Sequence, residues 1–419
     1  MKVAVIGGGI AGLTAAYELH RHHDIFLYER AARLGGNAYT IDTRRGDTVD
    51  IAVAAFGRAG YPRFYALLHQ LGITPSVSPG AFVSVHDRET NRGFYATPSL
   101  TGLLEQRFAA LAPRHLVGLA RLAWGMHRGQ ELRAAGALSG KTLREALAMI
   151  PALRGEGRLM FLCALCLLSS MSGEEVLAAP AEFFFDKLAV HADVMSPRAF
   201  YSIRCVRGGT RRYVDALAAR LGGRLALGAQ IHTVRRSSAG ITLVLADGAT
   251  RSFDRVVLAC NADQALALLE EPTEDERRLL GAWRYKEGRV VVHTDASAFP
   301  PRPLIQAYTF LYRQRGDAFD TSVNGALWRE PGVRSDCPYI STQHPNFPIR
   351  RESIELETTL RTPHFDFASV PTIRELPRLN GVLHTYYCGS HFGFGLHEDA
   401  VASAQAAAAA LVRSVRAPN

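Results

Sequence analysis

Lysine is scarce in this 419-residue sequence, so the net charge of +9 comes from arginine. The arginines are dispersed, and no basic tract alternates with aromatic residues in the pattern typical of nucleic-acid binding. We therefore expect no nucleic-acid partner and interpret most arginines as solvated surface. A basic surface also favours weak contact with an anionic membrane, and this peripheral location is the minor alternative. The lysines are Lys2, Lys141, Lys187 and Lys286.

Long apolar runs and a cysteine framework are also absent. No segment reaches the stretch of about 18 uninterrupted apolar residues that a membrane span needs. The six cysteines are scattered. The one close pair, Cys163 and Cys166, lies in an apolar run without histidines, which indicates buried packing rather than a metal or redox site. The first predicted strand starts at the second residue and leaves no room for a signal peptide, so we expect a cytoplasmic protein.

The N-terminal segment carries the strongest motif. Residues 2–6 form an apolar run typical of a buried parallel strand, and glycines follow at the G-x-G-x-x-G spacing. In this motif Gly7 permits the tight turn, Gly9 lets a diphosphate approach the backbone, and Gly12 lets the following helix pack closely on the strand. The segment therefore predicts a dinucleotide-binding site.

A helix and an acidic residue complete the motif. The helix, from Ala11 to about His22, directs its free N–H groups at the diphosphate, and Ile10 and Ala11 are expected cofactor contacts. The second strand, residues 25–28, ends at Glu29, about 20 residues past the glycine turn, where a carboxylate can bind ribose hydroxyls. Because this acid favours a free 2′-hydroxyl, the motif predicts FAD or NAD rather than NADP.

The residues after Glu29 separate FAD from NAD. A second glycine pair gives another close backbone approach, and Arg33 can neutralise phosphate. This stretch resembles the flavoprotein superfamily of flavin-containing amine oxidases, carotenoid desaturases and related isomerases, whose members carry an acid, a basic residue and a glycine pair at this spacing. In most members an arginine follows the pair, where this sequence has asparagine. The resemblance implies FAD as the cofactor and these contacts for it: Glu29, Arg30, Arg33, Gly35, Gly36 and Asn37.

Later segments extend the resemblance over nearly the whole chain. Residues 206–217 resemble the mid-chain glycine-pair helix of the superfamily, and residues 228–234 resemble the strand whose backbone holds the adenine. Residues 386–390 and 397–401 resemble the last flavin contact, where a helix begins under the flavin ring. The likeness is greatest to a bacterial subgroup described as predicted NAD/FAD-binding or amine-oxidase-like proteins. The further cofactor residues it implies are Ile231, Val234, Gly389, Ser390, His397, Glu398 and Ala400.

The patterning and the resemblance together predict an α/β fold. We expect a Rossmann-like FAD-binding domain of the glutathione-reductase type, with a parallel sheet, and a discontinuous α+β substrate domain. The FAD-binding domain should comprise residues 1–80, 200–275 and 375–419. The substrate domain should comprise residues 81–199, which hold its helical part, and residues 276–374, which hold its sheet. The active site should lie between the two domains.

Catalytic residues are harder to predict. Many amine oxidases of the superfamily have a lysine near the flavin, on the strand that enters the substrate sheet, and the matching position here is Arg289. A histidine near the flavin can act as a base or orient the substrate. The weak candidates are therefore Arg289, His293, His391 and His397. No histidine and acid set has metal-ligand spacing, so we expect no metal.

The reaction class follows from the cofactor and from the absence of a second dinucleotide-binding motif. There is no second G-x-G-x-x-G followed by an acid, so we expect no separate NAD(P)H site. Apolar residues near Phe161 and in the run 183–185 either line a pocket for a lipophilic substrate or fill the helical core.

We expect an FAD-dependent oxidoreductase that abstracts a hydride from carbon of a lipophilic or unsaturated small molecule, giving desaturation or double-bond isomerisation. The electron acceptor in a net oxidation would be O₂ or a quinone. Oxidation of an amine to an imine is the alternative, and a non-catalytic binding protein on the same scaffold is the second alternative.

Overall fold

The computed structural model describes residues 1–52, 55–77, 83–90, 92–96, 103–104, 108–191, 203–301, 305, 307–315, 318–330, 332–334 and 336–416. Its strands, in chain order, are β1 (Lys2–Ile6), β2 (Asp24–Glu29), β3 (Thr40–Asp42), β4 (Thr48–Asp50), β5 (Ser76–Val77), β6 (Val83–Asp87), β7 (Gly93–Ala96), β8 (Arg204–Cys205), β9 (Leu225–Leu227), β10 (Ile231–Ser237), β11 (Gly240–Leu245), β12 (Thr250–Phe253), β13 (Arg255–Leu258), β14 (Arg284–His293), β15 (Tyr308–Arg315), β16 (Ala318–Ala326), β17 (Ile340–Gln343), β18 (Ile354–His364) and β19 (Thr385–Tyr387). Its helices are α1 (Ile10–Leu19), α2 (Pro62–Gln70), α3 (Pro113–Ala134), α4 (Leu143–Ala148), α5 (Gly155–Ser169), α6 (Gly173–Ala178), α7 (Ala181–Val190), α8 (Arg211–Ala219), α9 (Ala262–Leu268), α10 (Glu274–Gly281) and α11 (His397–Arg416).

A five-stranded parallel sheet contains the predicted first strand at its centre. The strand order is β19-β13-β1-β2-β9, and β1 pairs in parallel with both β13 and β2. Val3 and Val5 belong to one apolar cluster and Ala4 and Ile6 to another, as the alternation of side chains along a strand requires. The predicted α/β fold with a parallel sheet is confirmed.

Different layers cover the two faces of this sheet. Helices α1 and α11 pack together on one face, where the alanine-rich sequence of α11 buries Ala404 and Ala407 completely. Small side chains let the two helix backbones approach closely. The antiparallel strands β10, β11 and β12 form a second sheet, and Val234 and Leu243 join the cluster on the other face. The parallel sheet is therefore buried on both sides, which explains its continuous apolar sequence.

A seven-stranded mixed sheet forms the second large unit. Its order is β18-β14-β17-β16-β15-β6-β7, with β15 and β6 parallel and the other neighbours antiparallel. Two of these strands, β6 and β7, precede the helical segment in sequence. Helices α3 to α7 follow, and α5 and α6 contact strand β16. None of the helices in the described part of the chain combines the length and the hydropathy that a bilayer crossing requires.

The two large sheets suggest how the chain divides. We propose that the parallel sheet with its covering layers is the cofactor domain, and that the seven-stranded sheet with helices α3 to α7 is the substrate domain. The proposed boundaries are those expected from the sequence. Both units contribute residues to one cavity, described next.

Candidate active site

A large cavity lies where the two sheets meet. Its volume is about 910 Å³, at the upper end of the roughly 300–1,000 Å³ that ligand sites occupy. Its walls come from the carboxyl ends of β1 and β2, from β14 and β18, from the end of α5, and from residues 389–397 before and at the start of α11. Such a cavity can hold a dinucleotide together with a small substrate.

The three motif glycines have distinct steric roles. Gly7 has a φ of +112°, and a Cβ there would lie 2.7 Å from the carbonyl oxygen of Ala259. A Cβ on Gly12 would lie 1.9 Å from the Gly7 oxygen, so this glycine serves close packing of α1. Gly9 has no heavy atom within 4 Å of its Cβ position and lines the cavity. The open space beside Gly9 is therefore available to a ligand.

The start of α1 and the end of β2 fit the predicted FAD. Gly9 caps α1 without a side-chain hydrogen bond, so the N–H groups of the first turn remain for a ligand. The backbone N–H of Gly8 donates to Glu29 Oε2 at 2.6 Å, and that of Ala31 donates to Glu29 Oε1 at 2.7 Å. These bonds fix a carboxylate that lines the cavity and retains lone pairs for ribose hydroxyls.

The second glycine pair contacts the first motif directly. Gly35 N donates to Gly8 O at 2.8 Å, and a Cβ on Gly36 would lie 3.2 Å from the Cα of Gly9. The Asn37 side chain donates to the backbone oxygen of Arg361 at 2.9 Å and so ties this segment to β18. Most members of the superfamily that the sequence resembles have an arginine at this position. Here Asn37 instead connects the glycine-pair segment to strand β18 of the seven-stranded sheet.

The segment before α11 brings two histidines to the cavity. His391 and His397 line it, as do Gly389, Ser390 and Ala400. The hydroxyl of Tyr213 and Nε2 of His397 form a hydrogen bond of 2.7 Å. Burial lowers the pKa of His391 to about 3 and that of His397 to about 4, so both imidazoles are neutral at pH 7.

Most residues predicted from the sequence lie along the cavity, but four do not. Gly12 packs helix on strand. Val234 is fully buried and forms an isolated β-bridge with Leu269. Glu398 accepts hydrogen bonds from the first backbone N–H groups of α2, at 3.0 and 2.9 Å, and thereby holds α2 to α11. His293 is buried, with Nε2 at 2.8 Å from Thr342 Oγ1 and a pKa lowered by burial to about 4. The predicted residues that line the cavity are Gly7, Gly9, Ile10, Ala11, Glu29, Arg30, Arg33, Gly35, Gly36, Asn37, Ile231, Arg289, Gly389, Ser390, His391, His397 and Ala400.

Arg289 does not take the place of a buried lysine. Its side chain is half exposed, and its Nε donates to Glu357 at 2.7 Å.

Among the described residues, no group of three or more His, Cys, Asp or Glu side chains is placed to hold a metal ion. The run Phe183–Phe185 and Phe161 belong to the helical core, whereas Leu167 and Leu168 at the end of α5 line the cavity.

The sequence reasoning missed Lys187, which is completely buried beside the cavity. Its Nζ donates to the backbone oxygens of Leu168, at 2.6 Å, and Phe394, at 2.8 Å. Burial lowers the pKa of Lys187, and the charge of Asp399 opposes that shift. Lys187 therefore joins the end of α5 to the segment before α11, two walls of the cavity. Its sequence signal was a rare lysine two residues after a run of three phenylalanines.

Comparison with known proteins identifies similar flavin-containing enzymes. A family model described as "Flavin containing amine oxidoreductase" matches residues 10–338. The "Putative flavin-containing monoamine oxidase AofH" of Mycobacterium tuberculosis is 26% identical over 311 residues, a match that covers 69% of this chain and 63% of that protein. The chain thus aligns with less than two thirds of that relative's length.

Solved structures share the fold. A double mutant of putrescine oxidase superposes with a TM-score of 0.72 at 14% identity, covering 98% of this chain and 99% of the other. A fatty acid isomerase from P. acnes that produces CLA superposes with a TM-score of 0.68 at 17% identity, covering 96% of both chains. At these identities the likeness concerns the architecture alone.

Proposed function

The chain belongs to the family of flavin-containing amine oxidoreductases and its cofactor is FAD; from this premise we propose that it abstracts a hydride from carbon of a lipophilic, unsaturated small molecule. The products would be a new or a shifted double bond. One observation carries the proposal: Leu168, Phe365 and Phe394 give the cavity wall beside the segment before α11 an apolar surface.

We propose that FAD lies along the cavity with its two ends at different elements. The N–H groups of Ile10 and Ala11, beside Gly9, would hold the diphosphate, and Glu29 would hold the adenosine ribose. The segment 389–397 would contact the ring. When bound, FAD supplies the hydride acceptor, and in a net oxidation the electrons pass on to O₂ or a quinone.

The wall itself favours a hydrocarbon. Leu168 and Phe394 are joined through Lys187, and Phe365 lies against Gly395, where a Cβ would come within 2.8 Å of its ring. Val290 and Leu360 line the same cavity from neighbouring strands. Contact with such side chains stabilises an apolar group, whereas a buried ammonium without a partner is costly. The neutral His391 and His397 add hydrogen-bonding groups to this wall without adding charge.

A substrate survey tests the proposal. FAD-loaded protein is incubated separately with unsaturated fatty acids and polyenes and with a panel of primary amines, under air and with a quinone. We expect altered double bonds by mass spectrometry in the first set and no peroxide release above background in the second. Turnover of amines alone would overturn the proposal, and folded protein that takes up no FAD would favour a non-catalytic role.

We also propose a cytoplasmic location, supported by six free cysteines.

Amine oxidation to an imine is the second candidate, favoured by one carboxyl group. Glu330 lines a chamber of about 30 Å³, which shares Tyr308 and Gln343 with the large cavity. Burial raises the pKa of Glu330 well above its usual value, and the charge of Asp50 adds to this shift. An ammonium group in the chamber would favour the ionised carboxylate. The space suits a group about the size of a water molecule.

Replacing Glu330 with glutamine separates the two candidates. For an unsaturated lipid we expect turnover within about twofold of the wild type, because no apolar contact changes. For an amine seated at Glu330, the loss of a charged hydrogen bond of about 1.5–3 kcal/mol would raise KM by roughly tenfold or more. Steady-state kinetics on both substrate classes give the comparison. Glu271→Gln, at an exposed carboxylate, is the matched control.

A further inference from the structure

Exposed apolar side chains are concentrated in one short part of the chain. Of the fourteen large hydrophobic residues that the described structure leaves exposed, six lie between residues 104 and 124. Trp124 is 65% exposed and Phe108 is 51% exposed. The six residues are Leu104, Phe108, Leu111, Leu116, Val117 and Trp124.

Helix α3 presents an apolar face both inward and outward. Its inner face is closely packed: a Cβ on Gly125 would lie 2.4 Å from Leu153, and one on Gly129 would lie 2.0 Å from Phe185. Over its first three turns the exposed residues are apolar except for Arg114, and they include Leu116, Ala120 and Ala123. A solvent-facing helix normally has polar residues there. We call the exposed residues Phe108, Leu111, Leu116, Val117 and Trp124 the α3 patch.

Arginines outnumber acidic residues along helix α3. Helix α3 contains four arginines and one glutamate. The side chains of Arg114 and Arg128 are 54% and 51% exposed and contact Glu156 and Glu131. The whole chain carries a net charge of +9. An apolar helix face with a tryptophan, bordered by arginines, matches an anionic membrane interface in both hydropathy and charge.

We propose that the α3 patch docks the protein on the surface of an anionic lipid bilayer. The leucine, valine and aromatic side chains would enter the acyl boundary, and the arginines would lie at the level of the headgroup phosphates. Helix α3 would lie along the surface, since no described helix is suited to crossing the bilayer.

The fold connects this patch to the cavity through one helix. The start of α5 packs on α3, where a Cβ on Gly157 would lie 2.7 Å from the oxygen of Gly118. The end of α5 places Leu167 and Leu168 in the cavity wall. A helix of this length spans about 22 Å. If the proposed function holds, docking would bring the cavity within one helix length of a store of lipophilic substrate.

Vesicle flotation of the FAD-loaded full chain tests the docking, and it requires no turnover. The vesicles contain phosphatidylcholine alone or phosphatidylcholine with phosphatidylglycerol. We expect flotation with the anionic vesicles, weakened by added salt because the charges are exposed. Leu116→Ser/Trp124→Ser should weaken binding roughly tenfold or more, since apolar area drives insertion. Arg128→Gln should weaken it about fivefold on anionic vesicles only.

A matched double variant controls for loss of apolar surface. Phe367→Ser/Val382→Ser removes one aromatic and one aliphatic residue that are exposed outside α3, and it should bind vesicles as the wild type does. All variants should retain FAD and the wild-type melting temperature. Wild-type protein that does not float, or a patch variant that floats equally well, would overturn the proposal. If the wild type does not bind vesicles but forms dimers that the patch variant disrupts, the patch would instead be assigned as a contact with a second copy of the chain.

Discussion

Gly9→Ala should release FAD from a protein that still folds. The Cβ position of Gly9 is open, its φ of −73° suits alanine, and the added methyl group would project into the space beside the uncapped start of α1. Inserting a methyl group into a fitted contact costs about 1–3 kcal/mol. The dissociation constant for FAD should therefore rise roughly tenfold to a hundredfold. Titration of apoprotein with FAD, followed by flavin fluorescence, measures the change.

The stability of the apoprotein distinguishes this result from misfolding. Alanine caps a helix less well than glycine but restricts the unfolded chain, so the free energy of unfolding should change by less than about 1 kcal/mol. Gly223→Ala is the control, because its Cβ position is equally open and lies outside the cavity lining. FAD affinity unchanged in Gly9→Ala would show that the diphosphate lies elsewhere.

Lys187→Met should destabilise the protein and alter the environment of the flavin. Methionine has a similar length but cannot donate to the oxygens of Leu168 and Phe394, which then lose their buried partner. Leaving buried polar groups unpaired costs about 1–3 kcal/mol each, and relief of the desolvation of the ammonium offsets part of this. We expect a net loss of about 3 kcal/mol in the free energy of unfolding. Denaturant titration measures it.

A spectroscopic measurement shows whether Lys187 positions the cavity wall. Phe394 lies in the segment that lines the cavity before α11, so its displacement should shift the visible absorption bands of bound FAD. Lys187→Arg should restore part of the effect, because guanidinium N–H groups can still donate. The control is Lys286→Met, at an exposed lysine paired with Glu175, which should cost less than about 1 kcal/mol. A destabilised Lys187→Met with an unchanged flavin spectrum would limit Lys187 to a structural role.

The part of the cavity formed by the glycine motif was predictable because its signals are local. The strand, the glycine spacing and Glu29 lie within one βαβ unit, so residues close in sequence are also close in space. The parallel sheet followed from the same pattern. A helix was also expected to begin within residues 397–401, and α11 begins at His397.

The rest depends on contacts between distant parts of the sequence. Asn37 meets the backbone of Arg361 across 324 residues, and Lys187 meets Phe394 across 207. Glu398 was expected at the flavin, but its carboxylate holds the start of α2, a contact that no local pattern indicates. The division of the phenylalanine-rich helices into core and cavity wall likewise depends on which face of each helix meets the sheet.

The parallel pairing of β19 with β13 limits how early the cavity can form during synthesis on the ribosome. Residues 385–400 supply the last strand of the sheet and part of the cavity wall, and they are made long after the glycine motif. Since domains fold as units once their sequence has emerged, the cavity cannot close around a ligand before residues 385–400 have left the ribosome.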